Sequence, residues 1–248
     1  MRLKLISCEI LYREICAAVA RSPHQVDIEF LSKGLHDIGS GPMLKTVQAA
    51  VDKAGEAGGY DAVCLGYGLC GNGLVGLTAR RVPVVLPRAH DCITLFLGNK
   101  ERYLEYFNNH PGVYFTTTGW IERGDGGELT QLHHEKQGFG QTMEELVAKY
   151  GEDNAQYLYE QLSQYTVRYR QFTFIEMGLE PDDRFERCTI ERAEQRGWKY
   201  EKIQGDMTLI QGLIDGRWNE QDFLVIQPGF RVAARYDGQI VGTEPAAP

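Results

Sequence analysis

The chain has 248 residues, 43% of them hydrophobic, enough to bury a core as one large α/β domain or two small ones. Its formal net charge is -8 and its Lys and Arg residues form no cluster, so it lacks the footprint of a phosphate-backbone binder and nucleic acid is excluded as an expected partner. No window approaches the ~20 apolar residues of a membrane span, and Arg13 and Glu14 interrupt the N-terminal stretch in a way a signal peptide would not, so a cytoplasmic protein is expected.

Taken in chain order, the first half alternates short apolar runs with amphipathic stretches, the pattern of β-α units in a mostly parallel sheet. LKLIS (3–7) reads as a strand stopping at Cys8, and the stretch after it spaces Ile10, Leu11, Ile15 and Ala18 as a helix does. VDIEFL (26–31) is a second strand ending in the loop KGLHDIGSGP, which holds His36. A helix is expected from Met43, with Pro42 just before it and Gly58-Gly59 just after. YDAVCLGYG (60–68) is a third strand entering the turn GLCGNG, and VPVVLP (82–87) a fourth running into RAHDC and a helix.

VYFTTTGW follows the Pro111-Gly112 turn as a fifth strand. A polar, glycine-rich excursion with His133 and His134 comes next, then a long helical pattern over 142–165. The second half repeats the plan, with strands at 172–177, 198–204 and 222–229 and helices between them. The expectation is an α/β protein of two similar Rossmann-like halves whose mostly parallel sheets face a cleft. Its divisions are 1–125, a connecting loop and helix over 126–170, and 171–248.

Open α/β sheets collect ligands at the carboxyl ends of their strands. Cys8, Cys70, and His90 with Cys92 follow the first, third and fourth strands, and His36 follows the second. Thiolates with an imidazole are the ligand set of zinc and of iron-sulfur clusters. Zinc is the first expectation, held by Cys8, Cys70, His90 and Cys92 with His36 able to join them. Three ligands and an open position would make a catalytic site, and four closed ligands a structural one. Cys16, Cys64 and Cys188 lie on helices or within a strand and read as packing.

Cys8 doubles as a reactive thiol, and its neighbour Glu9 is the candidate acid or base, against a solvent-facing role. Asp91 reads either as a group orienting a ligand or as the N-cap of the next helix. Asp206 and Glu176 are the second-half carboxylates that could reach a cleft, Asp206 serving equally well as an N-cap. Gly68, Gly71, Asn72 and Gly73 form a turn that lets backbone approach a cofactor or metal, without matching a dinucleotide or P-loop signature. Tyr67, Tyr114, Trp120, Trp198 and Trp218 would line an organic pocket or serve as core.

Together YGLCGNGL, RAHDCITLFLG, YFTTTGW and the closing GWKYEKIQGDMTLIQGLIDGRWNEQDFLVIQPG resemble a domain-of-unknown-function family of bacteria and methanogenic archaea. Its members are often encoded beside corrinoid-dependent methyltransferases and corrinoid proteins. The resemblance spans most of the chain and implies methyl-group or one-carbon metabolism, a small-molecule or thiol substrate, and a corrinoid protein or methyltransferase as partner. It gives His90-x-Cys92 a parallel in zinc enzymes that carry a methyl group from a corrinoid to a thiol. There, however, the remaining Cys follows the pair, whereas Cys8 and Cys70 precede it, and the fold there is a barrel. A corrinoid or metal carrier and an iron-sulfur protein are the alternatives.

Overall fold

The computed structural model describes residues 1–36, 39–123 and 169–246, with residues 147 and 152. Its first sheet holds β1 (Arg2–Cys8), β2 (Gln25–Leu31), β3 (Ala62–Gly66), β4 (Val84–Pro87) and β8 (Phe223–Ile226) in the order β2-β1-β3-β4-β8. All pairs are parallel except β4 with β8. Every residue of β3 and β4 is buried, which requires cover on both faces and explains why these strands read as unbroken apolar runs. The chain leaves β1 to one side for β2 and then crosses back to β3, so the carboxyl ends of β1 and β3 flank the point where the winding reverses.

A second, parallel sheet has the order β5 (Val113–Thr117), β6 (Gln171–Glu176), β7 (Lys199–Gln204). An antiparallel pair, β9 (Phe230–Ala234) with β10 (Val241–Pro245), packs beside Gly76–Ala79 through backbone hydrogen bonds such as Val232 to Leu77. The α/β architecture with mostly parallel sheets matches the expectation. The sheets, however, do not divide where the sequence pattern does: β5 joins the strands of the second half, and β8 returns to close the edge of the first sheet.

Helices α1 (Tyr12–Val19), α2 (Ser40–Ala57), α3 (Cys92–Leu97), α4 (Lys100–Asn109), α5 (Thr118–Glu122), α6 (Arg184–Arg196) and α7 (Thr208–Ile214) fill the connections. α2 starts three residues earlier than its periodicity predicts and takes Pro42 into its first turn, where a missing N–H costs no intrahelical bond. Residues 9–11 form a 3-10 turn before α1 rather than the start of one longer helix. The excursion with His133 and His134 and most of the 142–165 pattern lie outside the described residues.

One core runs from Leu3, Leu5 and Ile6 of β1 through Val84 and Val85 of β4 to Ile175 of β6, so both sheets bury apolar surface together. Within it Glu14 of α1 is 1% exposed, and among the described residues its carboxylate has no partner beyond its own backbone N–H. Burial, with Glu180 adding repulsion, raises its pKa from the usual carboxylate value of 4.5 to about 7. The folded state therefore holds the proton more tightly than the unfolded chain. Stability is greatest below the unfolded value and falls as pH rises towards and through the folded one. Across that window the charge on Glu14 costs about 3 kcal/mol. Urea unfolding at about pH 5 and about pH 8 should show this loss in the native protein, and Glu14→Gln should largely flatten it.

Candidate functional site

The thiol region is built where three chain segments leave the first sheet. β1 ends at Cys8, which the adjoining 3-10 turn holds through the backbone groups of Glu9 and Ile10. Beyond β3 the turn doubles back through Cys70, Gly71 and Asn72, all three at positive φ (49°, 62° and 67°). That turn is fastened to the segment beyond β4 by two backbone bonds, Leu69 N–H to Ala89 O (2.8 Å) and Cys70 N–H to His90 O (2.9 Å). At Gly68 the approach is so close that a Cβ would lie 2.6 Å from the Asp91 backbone.

Asp91 sets the next step. It is extended (φ -151°, ψ -179°) and its carboxylate accepts the Ile93 N–H at 3.0 Å, capping α3, while also accepting from the Tyr103 hydroxyl at 3.1 Å. Cys92 thus opens α3 and is buried. His90, one residue before the cap, is exposed, its ring near Tyr103 at 6.3 Å between centroids. The imidazole expected beside the thiols therefore lies apart from the cavity that Cys92 lines. The cap separates the H-x-C pair by starting a helix between its members.

That cavity has a volume of about 380 Å³ and is walled by Cys70, Gly71, Asp91 and Cys92 on one side, with Met43 and Trp120 among its other residues. Trp120 arrives from α5, which follows β5 of the second sheet, and its indole donates to the Cys92 sulfur. α5 reaches this position because Gly119 meets the Ile10 carbonyl, where a Cβ would stand only 1.6 Å from the oxygen. Lys33, 7% exposed, holds its ammonium 5.5 Å from the Trp120 ring centroid.

The three thiols share one electrostatic environment. Burial, more than any neighbour, pushes Cys8 up to about 12, with Glu9 adding to the rise and Lys33 opposing it. Burial also pushes up Cys70, with Asp91 and Cys8 adding to it, and Cys92, with Cys70, Asp91 and Cys8 adding to it. Each is thus protonated at neutral pH unless a cation arrives to take the charge. The thiols gather around one region without closing on a point: among the described residues no three His, Cys, Asp or Glu side chains are grouped as a metal site.

Other expected residues have structural employment. The Glu9 carboxylate accepts the Lys33 backbone N–H at 2.8 Å. Asp206 accepts the Thr208 N–H one residue before Met207, the N-cap of α7, and Glu176 pairs with Lys202. Cys64 is buried in β3, with its sulfur 3.8 Å from the Leu213 carbonyl. Gly73 is buried and Asn72 exposed, and of the turn's glycines Gly71 lines the cavity. His36 ends the 3-10 turn Lys33–His36, and its imidazole lies outside the described residues. Tyr114 and Trp198 pack in the second sheet's small core, and the Trp218 indole donates to Leu213 O.

Lys33 was not anticipated, because a lysine after a strand reads as solvated; the signal was the Trp three strands away on which its stem lies. The Gly68 approach yields a direct check. Gly68→Ala should lower stability by roughly 3 kcal/mol or more in urea unfolding, whereas Gly41→Ala, with open space around it, should not.

No curated protein and no solved structure matches this chain. A family match covers residues 30–214, from the end of β2 through α7, and so takes in Cys70, His90, Cys92 and Trp120 but not Cys8. On that match the chain belongs to the family described as protein of unknown function (DUF1638).

Proposed function

We propose that this is a metal-thiolate protein of methyl-group and corrinoid one-carbon metabolism, with zinc held by Cys8, Cys70 and Cys92 beside the cavity. The observation that carries the metal reading is that Cys70, half-buried, and Cys92, buried, line one cavity, and that the buried Cys8 at the neighbouring strand end is near enough for its charge to act on both. The donor set fits: soft sulfur ligands suit zinc, and a cation replaces the protons that burial otherwise keeps on them. The metabolic assignment rests on the family resemblance. Zinc bound this way would hold an acceptor thiol as thiolate at neutral pH.

The chain's own groups have defined parts. Trp120 donates to Cys92 and favours its anionic form, and Lys33 does the same for Cys8 by charge. Asp91 fixes the start of α3 and with it the Cys92 position. Met43, Ile93 and Leu35 give the cavity an apolar side suited to a small thiol or methyl-bearing substrate. We read the two sheets, rather than the two halves of the sequence, as meeting here, since Cys70 and Cys92 follow strands of the first sheet and Trp120 follows β5 of the second. A corrinoid protein or methyltransferase would be the partner.

An iron-sulfur cluster is the second reading, and one feature favours it. Three cysteine sulfurs are donors such a cluster takes, and among the described residues no histidine lines the cavity with Cys70 and Cys92.

Metal and acid-labile sulfide analysis of protein purified anaerobically without added metal separates the readings. Zinc near one equivalent, lost in Cys92→Ser and Cys70→Ser and retained in His90→Ala, is the expected result. Iron with sulfide would favour the cluster, and trace metal in every preparation would end both.

A further inference from the structure

Tyr67 lies one residue past β3, and Cys8 and Tyr67 directly follow Ser7 and Gly66, the last pair of the β1–β3 register. Its side chain is 1% exposed, yet among the described residues the hydroxyl has no hydrogen-bond partner. Burying a hydroxyl unpaired is unfavourable, and phenylalanine would fill the same space without that cost. Cys8, Cys70 and Glu9 are the charge-bearing groups near enough to act on the hydroxyl. A neutral thiol is a weak acceptor and a thiolate a strong one. The unmet donor is therefore matched to a sulfur that has lost its proton.

Resting on the thiolate reading of the cavity, we propose that Tyr67 is a positioning residue of the thiol centre, its hydroxyl donating a hydrogen bond to the thiolate sulfur of Cys8 or Cys70. When the centre is loaded, the incoming cation takes the place of the thiol proton, which passes to water. The phenol keeps its own proton and turns it towards the new anion. Its role is to fix the sulfur and share its charge, while the metal and the thiols carry the chemistry.

Tyr67→Phe tests this, because it removes one oxygen and leaves the ring's packing intact. With cobalt(II) as the probe, the variant should bind about ten- to a hundredfold more weakly in chelator competition. Its sulfur-to-cobalt charge-transfer bands should shift, while the thermal midpoint of the metal-free variant stays equal to or above that of the native protein. In a second arm without metal, iodoacetamide should alkylate Cys8 or Cys70 several-fold more slowly in the variant at one fixed pH, each thiol scored by peptide mass. Native affinity, spectrum and alkylation rate in Tyr67→Phe would overturn the proposal. If the native protein takes up no cobalt, the metal reading falls and the alkylation arm alone decides the role of Tyr67: a slower rate upholds it and an equal rate ends it.

Discussion

The arrangement of the site depends on the fastening of two turns across the top of the first sheet. The backbone of Leu69 and Cys70 donates to Ala89 and His90, and Gly68 lies against Asp91 with no room for a side chain. These contacts hold the segment beyond β3 to the segment beyond β4 at main-chain distance, and Cys70 and Cys92 line one cavity. β1, hydrogen-bonded along β3, delivers Cys8 to the same end. Backbone bonds of this kind are individually modest, but once buried their loss is costly, which makes the alignment rigid.

Rigidity matters because the site is electrostatically expensive. The buried thiols of Cys8 and Cys92 and the half-buried thiol of Cys70 and carboxylate of Asp91 resist sharing charge, Cys8 raising the cost for Cys70 and both raising it for Cys92. The groups that oppose this are few and specific: the Trp120 indole at Cys92, Lys33 near Cys8, and backbone N–H groups at Cys8 and Cys70. A compact cation would relieve the repulsion between the sulfurs, whereas a neutral ligand would not. The same logic explains why Cys64, buried alone within β3 and against a carbonyl, is inert packing.

Much of the scaffold was legible in the residues. Apolar runs ending at Cys8, at Gly66 before the glycine-rich turn and at Pro87 marked the strands of the first sheet, and their shared direction placed the cysteines at one end. What periodicity could not carry was pairing. The unbroken run at 223–226 looks the same parallel or antiparallel, so its return as the edge partner of β4 was hidden, and so was the transfer of β5 to the other sheet. The fate of His90 turned on a capping choice at Asp91, one of two readings that local sequence left open. Trp120 and Lys33 reach the site through long-range packing of Gly119 on Ile10 and of a lysine on an indole, contacts that leave no local pattern.

A thiol centre requires Cys8, Cys70 and Cys92 to converge, and arsenite reads that convergence without presuming which metal the protein uses. Trivalent arsenic binds thiols that can close around one atom. Native mass spectrometry of the metal-free protein should show one arsenic replacing three thiol protons, with uptake abolished by serine at any one of the three positions and unaffected by serine at Cys16 or Cys188. Uptake indifferent to Cys8, or no uptake, would contradict a common thiol centre.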